Sequence, residues 1–366
     1  MTKKKNTFLA LACLACLFMG VPNSFAQNST IRYANLASGE GKAQDSLTSK
    51  EVESYQWVAK GNALHDNGMY AEAIACYRKA DSLTPNSALV FYEMAYSFAL
   101  MQNVDSSLFY GKKSVAVEPM ESAFSLLGDI YDHQDKLDSA LKYYDAGLAV
   151  NPKSYHLLYH KAVALYVHKQ AAKAYDVILR SLECTHRHEG SYFLASQIAF
   201  DMGKWRSFFA NGLYSNLIGT TEARMKRFAQ CFMYLFTLDE SETSSFLNPD
   251  AVWVRTVGFR YLDTTVKRKD AVKSGYDDVV AKGVFAIREI AKMKDEYVLK
   301  PFFAKVVKLG YEEELSRIAF RELDSIAFES WKMMNGKRVD SFYKDVVVPF
   351  WEDEKKPRKP EFMQRK

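Results

Sequence analysis

Between residues 51 and 187, bulky, small and polar positions recur first on a helical period and then on a much longer one. Trp57, Gly61 and Leu64 keep to one helix face, Gly68 interrupts it, and Ala73, Tyr77 and Ala80 resume it before Pro85. The same order returns as Phe91, Ala95, Phe98, Ser107, Gly111, Ser114 and Pro119, and again as Phe124, Leu127, Gly128, Tyr131, Ala140, Tyr144, Gly147 and Pro152. A weaker copy runs through Leu158, Ala162, Leu165, Ala174, Ile178 and Ser181, with His186 in the proline's place. The prolines lie 34 and 33 residues apart. Each block predicts two helices that approach closely where one presents Gly or Ala: Gly61, Ala95, Gly128 and Ala162, facing Ala73, Ser107, Ala140 and Ala174. Proline ends the second helix because it cannot extend the hydrogen-bond ladder.

A unit of this length with these residue types resembles the tetratricopeptide repeat. The resemblance covers about 51–187 and implies a helix-turn-helix solenoid there; with the helical C-terminal region read from the residues below, the expected fold is all-α. Ser191 to Ala210, with Tyr192, Ala199, Gly203 at a turn and Trp205-Phe208-Phe209, reads as a fifth, degenerate unit reaching to about 220. Glu222 to Leu238 predicts another helix. After a polar break at Asp239 to Asp250 come helices at about 251–265, 270–294, 296–309, 311–334 and 338–348. In the fourth of these, Leu315, Ile318, Ala319, Ile326, Ala327 and Phe328 recur at helical spacing. Residues 188–350 resemble no family, and 351–366, rich in charge with Pro357 and Pro360, read as a disordered tail.

The N-terminus changes the picture of where the chain works. Lys3-Lys4-Lys5 precede an apolar stretch from Phe8 to Val21, and Ser24-Phe25-Ala26 puts small residues before Gln27, so 1–26 read as a bacterial secretory signal. The run is shorter than the roughly 20 residues of a spanning helix. Cys13 and Cys16 raise lipid attachment as a rival, which the apolar sequence after Cys16 disfavours. Residues 27–50 read as a flexible lead-in. The expected destination is the periplasm, the outer membrane's periphery or the exterior. The net charge of +5 falls to +2 without the three lysines, which gives no argument for nucleic acid. Cys76, Cys184 and Cys231 are odd in number and widely spaced, which favours buried thiols over a disulfide framework.

Chemical signatures are sparse. There is no His-Glu-x-x-His, Gly-x-Ser-x-Gly or Cys-x-x-Cys, and Gly39-Glu40-Gly41-Lys42 lacks the spacing, hydroxyl residue and preceding strand of a phosphate loop. His156 and His160 share a helix face, and Cys184, His186 and His188 follow in one stretch. Together they raise zinc or copper ligation. Against it, a metal needs three or four converging ligands. The plainer reading makes the first pair groove residues and the second group an exposed loop. No cofactor is expected, and no enzyme activity.

The resemblance implies instead a concave face formed by the first helix of each pair. Tyr55, Asn62, His65 and Asp66 fall there in the first unit, and Tyr92, Glu93 and Tyr96 in the second. The third contributes Ser125, Asp129, Asp132 and His133, and the fourth His156, His160 and Tyr166. Aromatics among acids and histidines suit a protein or peptide partner. Some relatives grip a terminal carboxylate here with Lys, Arg and Asn. Only Asn62 matches that set, while Val58, Glu93, Ser122 and Leu126 occupy the other places, so a basic or aromatic-rich partner fits better. The expectation is a non-catalytic envelope scaffold. Its rivals are an enzyme or ligand-binding domain in the C-terminal half, and a structural subunit of an envelope complex.

Overall fold

The computed structural model describes residues 48–237, 276–292 and 297–353, and among them the chain is helical with no strand. The expected signal segment, most of the lead-in, the polar break and the helix at 251–265 lie outside the described residues. The chain forms two compact units that divide between Lys169 and Gln170.

The first unit holds α1 (Ser49–Asp66), α2 (Tyr70–Leu83), α3 (Ala88–Leu100), α4 (Val104–Val117), α5 (Glu121–His133), α6 (Leu137–Val150) and α7 (Tyr155–Val167). Thr48 opens α1 with a capping box: its hydroxyl accepts from the Glu51 amide, and the Glu51 carboxylate accepts from the Thr48 amide at 2.7 Å. The Ser87, Asn103 and Ser154 side chains cap α3, α4 and α7 by accepting from the amides of Val90, Ser106 and Leu157.

Each turn between paired helices contains one residue with positive φ: Gly68, Gln102, Asp135 and Lys169. The chain closes the first three of these turns with a backbone bond back across the helix end, from Met69 to Leu64, Asn103 to Phe98 and Lys136 to Tyr131. Three of the four turns hold that conformation without glycine, at a cost of about 1 kcal/mol each.

Close approach follows the small residues as expected, but an aromatic ring fills the space. A Cβ at Gly61 would meet the Tyr77 ring at 2.5 Å, and one at Gly128 would strike the ring of Tyr144. In the pair between them Gly111 of α4 stands where the other pairs have tyrosine and receives Leu127 of the next helix, α5, while Ala95 takes the Gly61 position. There Ser107 Oγ donates to the Ala95 carbonyl at 2.7 Å, and Ser114 Oγ to the Ala88 carbonyl at 2.7 Å.

The second unit contains α8 (Ala171–Cys184), α9 (Glu189–Asp201), α10 (Trp205–Ile218), α11 (Glu222–Thr237), α12 (Tyr276–Ala291), α13 (Lys300–Leu309), α14 (Glu312–Ala319) and α15 (Ser325–Phe342). A π turn (Tyr343–Val347) then leads into α16 (Val348–Asp353). The α9–α10 pair is built like those of the first unit. Gly203 supplies the positive φ, Lys204 closes the turn on Ala199, Ser196 Oγ donates to the Phe208 carbonyl and Ser215 Oγ to the Glu189 carbonyl.

The C-terminal helices differ from the sequence reading in three places. Residues 311–334 are not one helix: α14 ends at Ala319, and Asp324 starts α15 by accepting from the Ala327 amide at 2.9 Å. Leu315, Ile318 and Ala319 are buried as expected, whereas Ile326 is 81% exposed. The expected break before 338 is absent, since α15 runs through it. Trp351, placed in a disordered tail, sits in α16 and donates from Nε1 to the Tyr214 hydroxyl at 3.0 Å. The remainder of that tail lies outside the described residues.

These helices pack on the α9–α10 pair through buried polar contacts as well as rings. Asn216 Nδ2 donates to the Ala319 carbonyl, while the Arg321 guanidinium caps α10 by donating to the carbonyls of Asn216 and Gly219. Around them Tyr214, Phe228, Phe232, Phe302 and Phe320 form an aromatic core.

Candidate functional site

Consecutive first helices of the array meet through the side chains singled out in the sequence. From α1, His65 stacks on Tyr96 of α3 at 4.9 Å, and its Nδ1 lies 2.8 Å from Ser97 Oγ. Tyr96 in turn lies parallel to Tyr92 at 6.2 Å, and Tyr92 packs with Leu126 and Ile130 of α5. Between α5 and α7, Asp129 Oδ1 accepts from Tyr144 at 2.7 Å and lies 2.9 Å from His160 Nδ1. Asp132 Oδ1 lies 3.0 Å from His168 Nε2, whose other ring nitrogen lies 3.5 Å from Asp135.

Burial sorts the candidates. Asp66 and His133 are exposed, and Tyr55, Tyr96, Asp129, Asp132, His156, His160 and Tyr166 are half-buried. Asn62, His65, Tyr92 and Glu93 are buried, so these four act within the array. Asn62, for example, accepts the Tyr77 hydroxyl at 2.8 Å. At the places compared with a carboxylate grip, Val58 and Leu126 are buried in apolar clusters.

His168 and Ser97 were not among the expected residues. The signal for His168 was its place about one repeat after Asp132 and Asp135. The expected exposed loop at Cys184–His188 is overturned at His186. That ring is buried, lies 3.2 Å from the Tyr192 hydroxyl and stacks on Phe350 at 4.4 Å, filling with side-chain contacts the place of a repeat proline. Cys76 and Cys231 are buried, and Cys184 Sγ donates to the Arg180 carbonyl. Among the described residues no group of three His, Cys, Asp or Glu is placed to hold a metal ion.

The histidines are held in different states. Burial lowers the pKa of His65, against the nearby Asp66 charge. His156 is lowered by burial and by the His160 charge, with Glu121 opposing. At His160 burial also acts downward, but the Asp129 charge and hydrogen bond, with Asp132 behind them, raise the ring above its ordinary value. Burial raises the Asp132 carboxyl, with the His168 contact opposing. This face therefore offers proton-sensitive hydrogen bonds and aromatic edges.

The geometry defines a repeat protein built from helix pairs, and sequence comparison gives the class. A TPR repeat model matches residues 61–102, and a second tetratricopeptide repeat model matches 125–185. The chain thus carries tetratricopeptide repeats over these residues. It is 23% identical over 177 residues to the TPR repeat-containing protein MJ1428 of Methanocaldococcus jannaschii, covering 38% of this chain and 31% of that one. Over 104 residues it is 29% identical to the small glutamine-rich tetratricopeptide repeat-containing protein 2 of Mycosarcoma maydis, covering 28% of this chain and 30% of that protein. The chain thus spans less than a third of either relative. Among solved structures, it resembles the Thermus thermophilus TPR protein TTC0263 with 18% identity and a TM-score of 0.42, covering 49% of this chain and 99% of that one. Pseudomonas aeruginosa pilF aligns with 12% identity and a TM-score of 0.46, covering 62% and 99%. Repeats of this family are generally non-catalytic scaffolds, and the fold suits protein partners. Among the described residues no helix is long and apolar enough to cross a membrane.

Proposed function

We propose that this chain is a non-catalytic scaffold of the bacterial cell envelope that binds a peptide or protein on the concave face formed by its first helices. The observation that carries the reading is the run of half-buried side chains along that face, Tyr96, Asp129, His160, Asp132 and His168, held in place by each other and by the buried rings of His65 and Tyr92 behind them. Side chains fixed before a partner arrives lose little entropy on binding. The partner most compatible with them is basic or aromatic-rich. Export rests on the N-terminal segment, with cleavage before Gln27.

Affinity capture from envelope extracts tests the binding reading, comparing the wild type with an Asp66→Ala/Asp132→Ala/His133→Ala variant. The wild type is expected to retain a defined partner that the variant loses. The same partner recovered equally with both would refute the face. N-terminal sequencing of the protein recovered from cells tests export, and an intact Met1 would contradict it.

A further inference from the structure

The second unit carries a surface that packing within the chain leaves unexplained. Over its 18 residues, α15 buries only Phe328, Val339 and Phe342. Its opposite side presents Ile326, Met333 and Met334 at 81%, 80% and 79% exposure, the three most exposed large hydrophobics among the described residues. Single exposed apolar residues are ordinary, but a shared face is a mark of an interaction surface.

Successive residues are 100° apart on a helix, which puts Ile326, Ser330, Met333 and Lys337 on one line opposite the buried seam. Met334 flanks this line on one side, Glu329 and Asp340 on the other. Glu329 stands four residues before Met333, and Lys337 four residues after it. Turned end for end about Met333, the face therefore sets Glu329 level with Lys337 at both ends and methionine against methionine at the centre. Among the described residues Glu329 pairs only with Lys332, at 3.7 Å, and Lys337 has no ion-pair partner.

We propose that this face of α15 docks antiparallel on the same face of a second copy of the chain, crossing at Met333 and making a two-fold dimer. Two-fold interfaces must be self-complementary, and the placement of Glu329 and Lys337 about Met333 meets that requirement. The helix is about 27 Å long. A contact limited to one helix pair falls at the small end of specific interfaces, below about 1,200 Å². Reversible association with a dissociation constant of roughly 10 μM is expected.

Sedimentation equilibrium of the full chain across this range, with circular dichroism as the folding control, tests the proposal. Met333→Asp is expected to weaken association roughly 30-fold or more with helicity unchanged. Glu329→Lys and Lys337→Glu should each weaken it roughly five-fold, and their combination should restore it, because the reversed charges pair again. A monomer at every concentration would overturn the proposal, whether the strip binds a different protein or is covered by another part of the same chain. So would a dimer that persists in Met333→Asp, or a double charge reversal that fails to rescue.

Discussion

The first unit and the α9–α10 pair of the second reach one helix-pair geometry with different residues. In the first, glycine faces a tyrosine ring at Gly61–Tyr77 and Gly128–Tyr144, and prolines end the second helices. In the second, Gly212 of α10 faces Phe228 of the next helix, α11; Ser196 on the first helix donates to the second, the reverse of the Ser107 bond; and His186 stands in for proline. What persists across both is the positive-φ turn at Gly68, Gln102, Asp135, Lys169 and Gly203 and the close approach of helix pairs. The repeat is thus a backbone arrangement that several side-chain sets can satisfy.

If this equivalence is correct, filling the glycine contact should hurt both units alike. Gly128→Ala and Gly212→Ala each force an aromatic ring to move, at a cost of about 3 kcal/mol measured by urea unfolding. A near-neutral Gly212→Ala would show that α10 and α11 are loosely packed and break the comparison. His186→Pro asks whether the missing proline is a vacancy or a replacement. Thr185 already has the extended backbone that precedes proline (φ −153, ψ 142), so the cost lies in the lost contacts with Tyr192 and Phe350. A loss of about 2 kcal/mol in thermal unfolding is expected, and stabilisation would show that the ring adds nothing.

Histidine titration sharpens the contrast within the first unit. The raised pKa of His160 favours its charged ring in the fold, so that contribution is full below the ordinary histidine value and is lost as pH rises through the raised one. His65 and His156 run the other way: their contribution is full above the ordinary value and is lost as pH falls through the lowered ones. An NMR titration should therefore place the His160 midpoint above both others, and the reverse order would refute the Asp129 pairing. The smallest effect expected is at a turn. Gln102→Gly should stabilise by about 0.5–1 kcal/mol, because glycine adopts the positive φ without the steric penalty, offset in part by its freer unfolded chain.

The helix pairs were legible because their small residues and prolines recur in phase, a pattern that close packing imposes on sequence. His186 was not, since a missing proline looks like decay until the ring's partners, Tyr192 and Phe350, are placed beside it. The helix break at 320–324 escaped for a related reason. Ile326 and Ala327 continue the helical spacing of Leu315 and Ile318, but spacing does not say whether a face turns inward. For the candidate site, the sequence put the named residues on the first helices, where the structure has them. It did not separate Asn62, His65, Tyr92 and Glu93, which are buried, from Asp66 and His133, which are exposed. That distinction depends on the neighbouring helix, roughly 30 residues away in the chain.

The most direct test of the binding face is site-specific photo-crosslinking in living cells, with the probe placed at His133 or at Phe109. Both positions are exposed, and Phe109 lies on a second helix of a pair. The account predicts a discrete protein adduct from His133 and none from Phe109. An adduct from Phe109 with none from His133 would contradict it.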